Sequence, residues 1–279
     1  MLAPTRASEE YEAQKRLTVA TLAAVGSQWR GMSGDWERSW STSIGARVVA
    51  VLAAAQIGTA RMGAAYVPEV LEEIGEDVRP AARVNPAAFA GRAADGRDLA
   101  SLLALSVVKA RQGGSLDAGW SWLSTVVESE LEDAHRGAIQ AATVARPRTG
   151  YVRMVNSPCC RDCALQAGRF FRSNEGFKRH PHCRCYHLPT TDPDSRFATY
   201  PDPSSVTGLT DGERKALEAG GDFSRVLNAR RGRSKDKMST TELTGRARAG
   251  RRLTPDGIYR LASDEGEARA LLRRFGYLT

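Results

Sequence analysis

The residues able to do chemistry are concentrated in one short stretch. All five cysteines of this 279-residue chain lie between positions 159 and 185, and three of its four histidines lie between His180 and His187. The first string is Cys159-Cys160-Arg161-Asp162-Cys163, and the second is His180-Pro181-His182-Cys183-Arg184-Cys185-Tyr186-His187. Cys160 and Cys163 form a C-x2-C pair, which on a tight turn presents two thiolates to one ion. Two such clusters separated by a short loop are the usual layout of a tetrahedral zinc site. Soft sulfur and imidazole ligands favour zinc over hard cations. The preferred set is Cys160, Cys163, His180 and Cys183, with Cys185 competing for the fourth place. Cys159, His182 and His187 are left beside the ion or exposed. The competing readings are plain buried thiols or a disulfide, and a chain kept in a reducing cytoplasm disfavours the disulfide. The N-terminus carries no apolar stretch of the secretory kind, so a cytoplasmic start is expected.

The elements that position this cluster are mainly helical. An amphipathic helix is expected over 8–30, a second over 42–64, an interruption at Pro68, and a short helix over 69–75. Val78 to Asp98 reads as loop, and helix resumes over 98–111 to end at Gly113-Gly114. The clearest helix is 117–144, where Leu123, Val127, Leu131, Ala134, Ala138 and Ala142 form one apolar stripe. Asp117 is its expected N-cap and Pro147 ends the run. His135 falls beside the polar face and is expected at the surface. Trp29, Trp36, Trp40, Trp120 and Trp122 are expected in the core. Alternation in Tyr151-Val152-Arg153-Met154-Val155 predicts a strand leading into the cysteines. Pro189, Pro193, Pro201 and Pro203 mark a linker. Thr210 with Glu213 makes a capping box for a helix through Ala219, and a last helix covers about Glu265 to Phe275. The fold class is therefore mainly α. A helical N-terminal domain (1–147) precedes a small α+β zinc-knuckle module (148–188). A Pro-rich linker (189–210) and a basic, partly helical C-terminal arm (211–279) follow.

The net charge of +8 is unevenly placed. Residues 1–150 hold 16 basic and 17 acidic side chains, whereas 225–252 alone hold 10 basic and 2 acidic. Arg230, Arg231, Arg233, Lys235 and Lys237 form one cluster, and Arg246, Arg248, Arg251 and Arg252 another. No aromatic is interleaved, so stacking on single-stranded bases is not expected. Three readings stand for residues 225–252: a solvated tail, sequence-independent contact with DNA phosphates that weakens with salt, or docking onto an acidic protein. No run of about 18 apolar residues occurs, so no membrane partner is expected.

The run Pro158-Cys159-Cys160-Arg161-Asp162-Cys163-Ala164-Leu165-Gln166-Ala167-Gly168-Arg169, closed by His180-Pro181-His182-Cys183-Arg184-Cys185, resembles the phage Mu F-like minor head proteins. That family carries a C-x2-C, a Leu-x-Gly element and a closing H-P-x-C-R-C. Here the middle element, Leu165-Gln166-Ala167-Gly168, is one residue longer. The Tyr151–Met154 string, Arg179-His180-Pro181, Leu227-Asn228-Ala229-Arg230-Arg231-Gly232 and Leu253-Thr254-Pro255-Asp256-Gly257-Ile258-Tyr259 are similar to the actinobacteriophage branch of those proteins. The likeness covers roughly residues 100–279 by motif. The resemblance implies a low-copy structural protein of the virion, acting in procapsid assembly near the portal or inside the shell. Its partners would be the portal or the major capsid protein.

Two enzymatic alternatives stand beside it. A zinc-supported nuclease would need a hydrolytic metal and a general base. Asp162 and Asn174 are near the cluster, but no second His/Asp constellation follows. A capsid maturation protease would need a nucleophile with a base and an orienting group, and no G-x-S-x-G occurs. The expectation is assembly without catalysis.

Overall fold

The computed structural model describes residues 4–172, 185–195, 197, 200–229, 253, 255–275 and 277–278. The chain divides into two compact units. The first joins residues 1–153 to 170–197, and the second joins 154–169 to 198–279. Both are built mainly from helices, as the sequence predicts.

In the first unit the helices are α1 (Thr5–Arg30), α2 (Trp36–Ser39), α3 (Gly45–Glu73), α4 (Leu99–Gly113) and α5 (Leu116–Val144). A π-turn at Trp40–Ile44 carries α2 directly into α3. The caps explain the boundaries. Asp98 accepts the Ser101 amide and Gly114 closes α4 in the left-handed conformation, at φ 66°. Ser115, rather than Asp117, caps α5 by accepting from the Ala118 amide at 3.2 Å, and Asp117 sits in the first turn. The left-handed turn at Gly114 brings the chain to Ser115 already extended, so the helix starts earlier than the acidic residue suggests. The stripe on α5 is buried as expected. Trp29 packs edge-to-face on Trp40 with centroids 6.1 Å apart and donates its indole N–H to the Leu116 carbonyl.

Two expectations are overturned here. Pro68 does not interrupt the second helix; α3 runs through it to Glu73. A proline inside a helix removes one hydrogen bond and costs about 3 kcal/mol. Tyr66, Val67, Val70 and Leu71, all fully buried around it, offset that cost. His135 is not at the surface. Its Nε2 meets the Glu10 carboxylate of α1 in a mostly buried pair, because α1 covers that face of α5. The run Trp36–Glu73 is long and apolar enough to cross a membrane by length and composition. In the fold its apolar residues, among them Val48, Leu52 and Ala55, join Val25, Leu103 and Leu131 in one core.

Strand β1 (Gly150–Val155) follows α5 and lies between β3 (Phe170–Arg172) and β4 (Cys185–Thr190). It runs antiparallel to β3, with Tyr151 opposite Phe171.

The second unit contains β2 (Cys159–Cys160), α6 (Arg161–Gln166), β5 (Val206–Thr207), α7 (Asp211–Glu218), α8 (Phe223–Asn228), α9 (Pro255–Leu261) and α10 (Glu265–Arg274). Strand β2 pairs in parallel with β5. The capping box predicted for α7 forms, with Thr210 and Glu213 exchanging both bonds. Helix α10 matches the expected last helix, and α8 and α9 were not foreseen. Tyr277 donates to the Leu253 carbonyl at 2.5 Å and accepts through its own carbonyl from Asp222, tying the C-terminus to α8.

Helices α3 and α5 meet where Gly63 faces α5. A Cβ built on Gly63 would lie 2.6 Å from the His135 carbonyl oxygen, whereas one on Gly58 meets nothing closer than 3.7 Å. Backbone cannot yield as a side-chain tip can, so Gly63→Ala should cost about 1–3 kcal/mol. Gly58→Ala should be neutral or stabilising by up to about 1 kcal/mol. Urea denaturation of the two variants checks the contrast, and equal midpoints would refute the close approach.

Candidate functional site

The C-x2-C pair sits where β2 turns into α6. Cys160 is the residue preceding the helix, and its Sγ accepts from the Cys163 amide at 3.4 Å. Both sulfurs are thus borne by a single turn, which is the local geometry a two-thiolate pair requires. Cys163 and Cys159 are buried and Cys160 is half-buried. The turn is fixed from both sides. The Thr207 hydroxyl donates to the Cys159 carbonyl at 3.3 Å, and Arg161 reaches Glu213 at 2.9 Å and the Leu227 carbonyl. Glu213 is 0% exposed as a side chain. Its carboxylate is satisfied by Arg161 and by the Thr210 amide of the capping box at 3.0 Å. Arg161 therefore joins the cysteine turn to α7 by an ion pair and to α8 by a hydrogen bond.

Cys185 belongs to the first unit, at the start of β4. Arg153 Nη2 donates to its sulfur at 3.2 Å, and Arg136 Nη1 donates to its carbonyl at 3.2 Å. Arg136 also pairs with Glu132 one turn back on α5 at 2.8 Å. His187, two residues along β4, stacks on Tyr151 with ring centroids 4.1 Å apart. Its carbonyl accepts from the buried Tyr66 hydroxyl at 2.9 Å. Burial pushes the His187 imidazole from 6.5 down to about 3, with Arg136, His135 and Arg153 adding to the shift. Burial also raises Tyr66 well above its ordinary value and Tyr186 to about 12. A cavity of about 480 Å³ opens beside this cluster, with Arg92, Glu130, Asp133, Arg136, Tyr151 and His187 in its wall. Its charges are mixed, and Glu130 is engaged by the Ala94 amide at 2.9 Å.

Of the expected metal ligands, Cys160 and Cys163 share the α6 turn, and Cys185 stands in β4 of the first unit. His180 and Cys183 lie outside the described residues, as do Arg230, Arg231, Arg233, Lys235, Lys237, Arg251 and Arg252. Among the described residues none of the cysteines is in a disulfide. No group of three or more metal-ligating side chains is found among them. Sequence reasoning missed Arg136, Arg153 and the Arg161–Glu213 pair. The alternation that predicts β1 already places Arg153 on the same face as Tyr151, and both are buried. A charged residue on a face that must be covered was the available signal. The partner of Arg161 lies 52 residues along the chain and left no local trace.

Comparison with protein-family models, with curated proteins and with solved structures finds no match to this chain.

Two measurements probe these contacts. A histidine held neutral in the folded state contributes stability above its unfolded value near 6.5, and that contribution is lost as pH falls toward about 3. Stability should therefore decline below pH 6.5, at up to about 1.4 kcal/mol per pH unit from this one group. His187→Phe keeps the stacked ring and should flatten that limb relative to wild type in urea titrations at stepped pH. An unchanged slope would place the titration elsewhere. In the second unit, Arg161→Met leaves a buried carboxylate without its cation and should cost about 3 kcal/mol. Adding Glu213→Gln should recover part of that loss, and strictly additive midpoints would refute the coupling.

Proposed function

We propose that this chain is a structural minor head protein of a tailed phage, with a zinc knuckle as its local staple. It would act in procapsid assembly near the portal or inside the shell. The observation that carries the reading is the Cys160–Cys163 turn followed by His180-Pro181-His182-Cys183-Arg184-Cys185. The spacing is that of a thiolate-rich site, and the turn sets both thiols of the C-x2-C on one loop. The donor set suits zinc: Cys160 and Cys163 would supply two thiolates, and His180 and Cys183 the remaining ligands. Cys185 is the less suitable fourth ligand, because its sulfur already takes a charge-assisted hydrogen bond from Arg153. The zinc would act as a structural staple, holding a segment too short to build its own core. The basic stretch 225–252 would contact packaged DNA or an acidic face of a head protein through charge alone.

Elemental analysis of the reduced, purified protein should give about one zinc per chain, and chelation should lower the melting temperature. Cys160→Ser and Cys163→Ser should lose the metal, while Cys185→Ser should keep it. Coexpression with portal and major capsid proteins, followed by sedimentation, then tests the assembly role. The chain should travel with procapsids at low copy. Recovery only in the unassembled fraction, with zinc bound, would reject the head-protein reading and leave the staple standing.

A further inference from the structure

The surface at the end of α5 belongs to the first unit and involves neither the cysteine turn nor the stretch 225–252, so what it implies does not depend on the proposed head function. The Ala81 amide donates to the Ala145 carbonyl at 2.7 Å, which lays the loop after α3 against the chain leaving α5. Arg79 and Arg83 flank Ala81, and Arg146 and Arg148 follow Ala145. Two distant segments thus bring four guanidinium groups to the same end of α5. Neither segment brings an acid: no Asp or Glu lies between Asp77 and Asp95, or between Asp133 and Asp162. Glu76, at the head of the loop, spends both carboxylate oxygens on the Thr190 hydroxyl and the Thr191 amide. Among the described residues none of the four arginines is in an ion pair, with Asp77 and Asp192 beside that contact or with any other acid.

Two of the four are placed at a cost. Arg146 is 7% exposed. Its Nη1 donates to the Ala142 carbonyl at 2.7 Å, and Nε is sealed without an acceptor. Nη2 donates to nothing among the described residues and is not sealed, so a group arriving from solvent can meet it. Burial lowers the pKa of this guanidinium, and no acid offsets the shift. Arg148 stands third in a turn closed by the Thr149 amide on the Arg146 carbonyl at 3.4 Å. Its φ is 60°, in the left-handed region where glycine is the usual residue. An L-residue there costs roughly 1–2 kcal/mol. Arg79, Arg83 and Arg148 are exposed.

Positive charge gathered here without offset calls for an anion. Guanidinium forks fit phosphate oxygens two at a time. One phosphate brings at most about two negative charges to four arginines. A duplex backbone brings a row of them, one per about 1.7 Å of helix axis. We propose that Arg79, Arg83, Arg146 and Arg148 form a contact surface for the phosphate backbone of duplex nucleic acid, independent of sequence and separate from 225–252.

Fluorescence anisotropy of a labelled duplex, titrated with the full chain at stepped salt, tests this. Each backbone contact adds about 0.9 to the slope of log K against log salt, whatever other basic segments contribute. The triple variant Arg79→Gln, Arg83→Gln, Arg148→Gly should therefore lower the slope by about 2.7. Arg148→Gly alone relieves the left-handed position and should keep or raise the melting temperature, so slope lost there is not lost fold. Arg47→Gln, near the far end of α3, removes an equal charge elsewhere and should leave the slope as it is. Failure of the full chain to bind the duplex, or an unchanged slope in the triple variant, overturns the proposal. So does an equal loss in Arg47→Gln, which would reduce the effect to net charge. A triple variant that loses binding to labelled poly-glutamate while keeping the duplex would assign the surface to an acidic protein and overturn it as well.

Discussion

A guanidinium carried on the buried face of a helix must be given acceptors, and in the first unit much else follows from how Arg136 finds them. One nitrogen goes to Glu132 on its own helix and another to the carbonyl of Cys185. The second bond fixes β4 against α5 at its first residue, and β4 in turn sets His187 against Tyr151 and beneath the Tyr66 hydroxyl. Burial disfavours a charge on the His187 ring, the nearby Arg136 and Arg153 add to that, and the imidazole is held neutral. Arginine suits this position because it stays charged and offers several donors in a fixed plane. A lysine would have one point charge to share between a carboxylate and a carbonyl.

The second unit solves a similar problem with opposite sign. Glu213 has no exposure, and a buried carboxylate is tolerated only when cation and hydrogen bonds are both supplied. The capping box supplies one amide, and Arg161 supplies the charge. Arg161 is the residue after Cys160, so the acid that starts α7 also holds the turn that bears the thiols. The contact has two consequences: the helix start and the thiol geometry are not independent, and disturbing either should be felt at the other.

Local signals were legible in the sequence where local chemistry decides the outcome. Asp98, Gly114, Thr210 and Glu213 sit at helix ends because their own side chains or dihedrals make the ends, and each was readable. The stripe on α5 was readable because its period belongs to one element. Pro68 was misread because the local rule is real but small beside the burial of Tyr66, Val67, Val70 and Leu71. His135 was misread because amphipathicity assigns one face to the core and cannot see that α1 covers another. The division into units follows neither composition nor proline content. Residues 154–169 join the C-terminal unit because β2 pairs with β5, some 47 positions away, and because Arg161 finds Glu213. Pairings of that span carry no periodic signature.

The turn that carries Cys160 and Cys163 was equally legible, and for the same reason. Thiolate spacing in a C-x2-C is a local property, and the turn that realises it closes through the hydrogen bond from the Cys163 amide to the Cys160 sulfur. What spacing cannot rank is the competition between Cys183 and Cys185 as the expected fourth ligand, since the two stand only two positions apart in the sequence. That ranking comes from surroundings. Cys185 stands in a strand where its carbonyl is claimed by Arg136 and its sulfur by Arg153. To ligate zinc it would bring a dication against a guanidinium already in contact with the sulfur, at a Coulombic cost that burial enlarges. Cys185 thus has a task of its own, as an acceptor in the packing of β4 on α5.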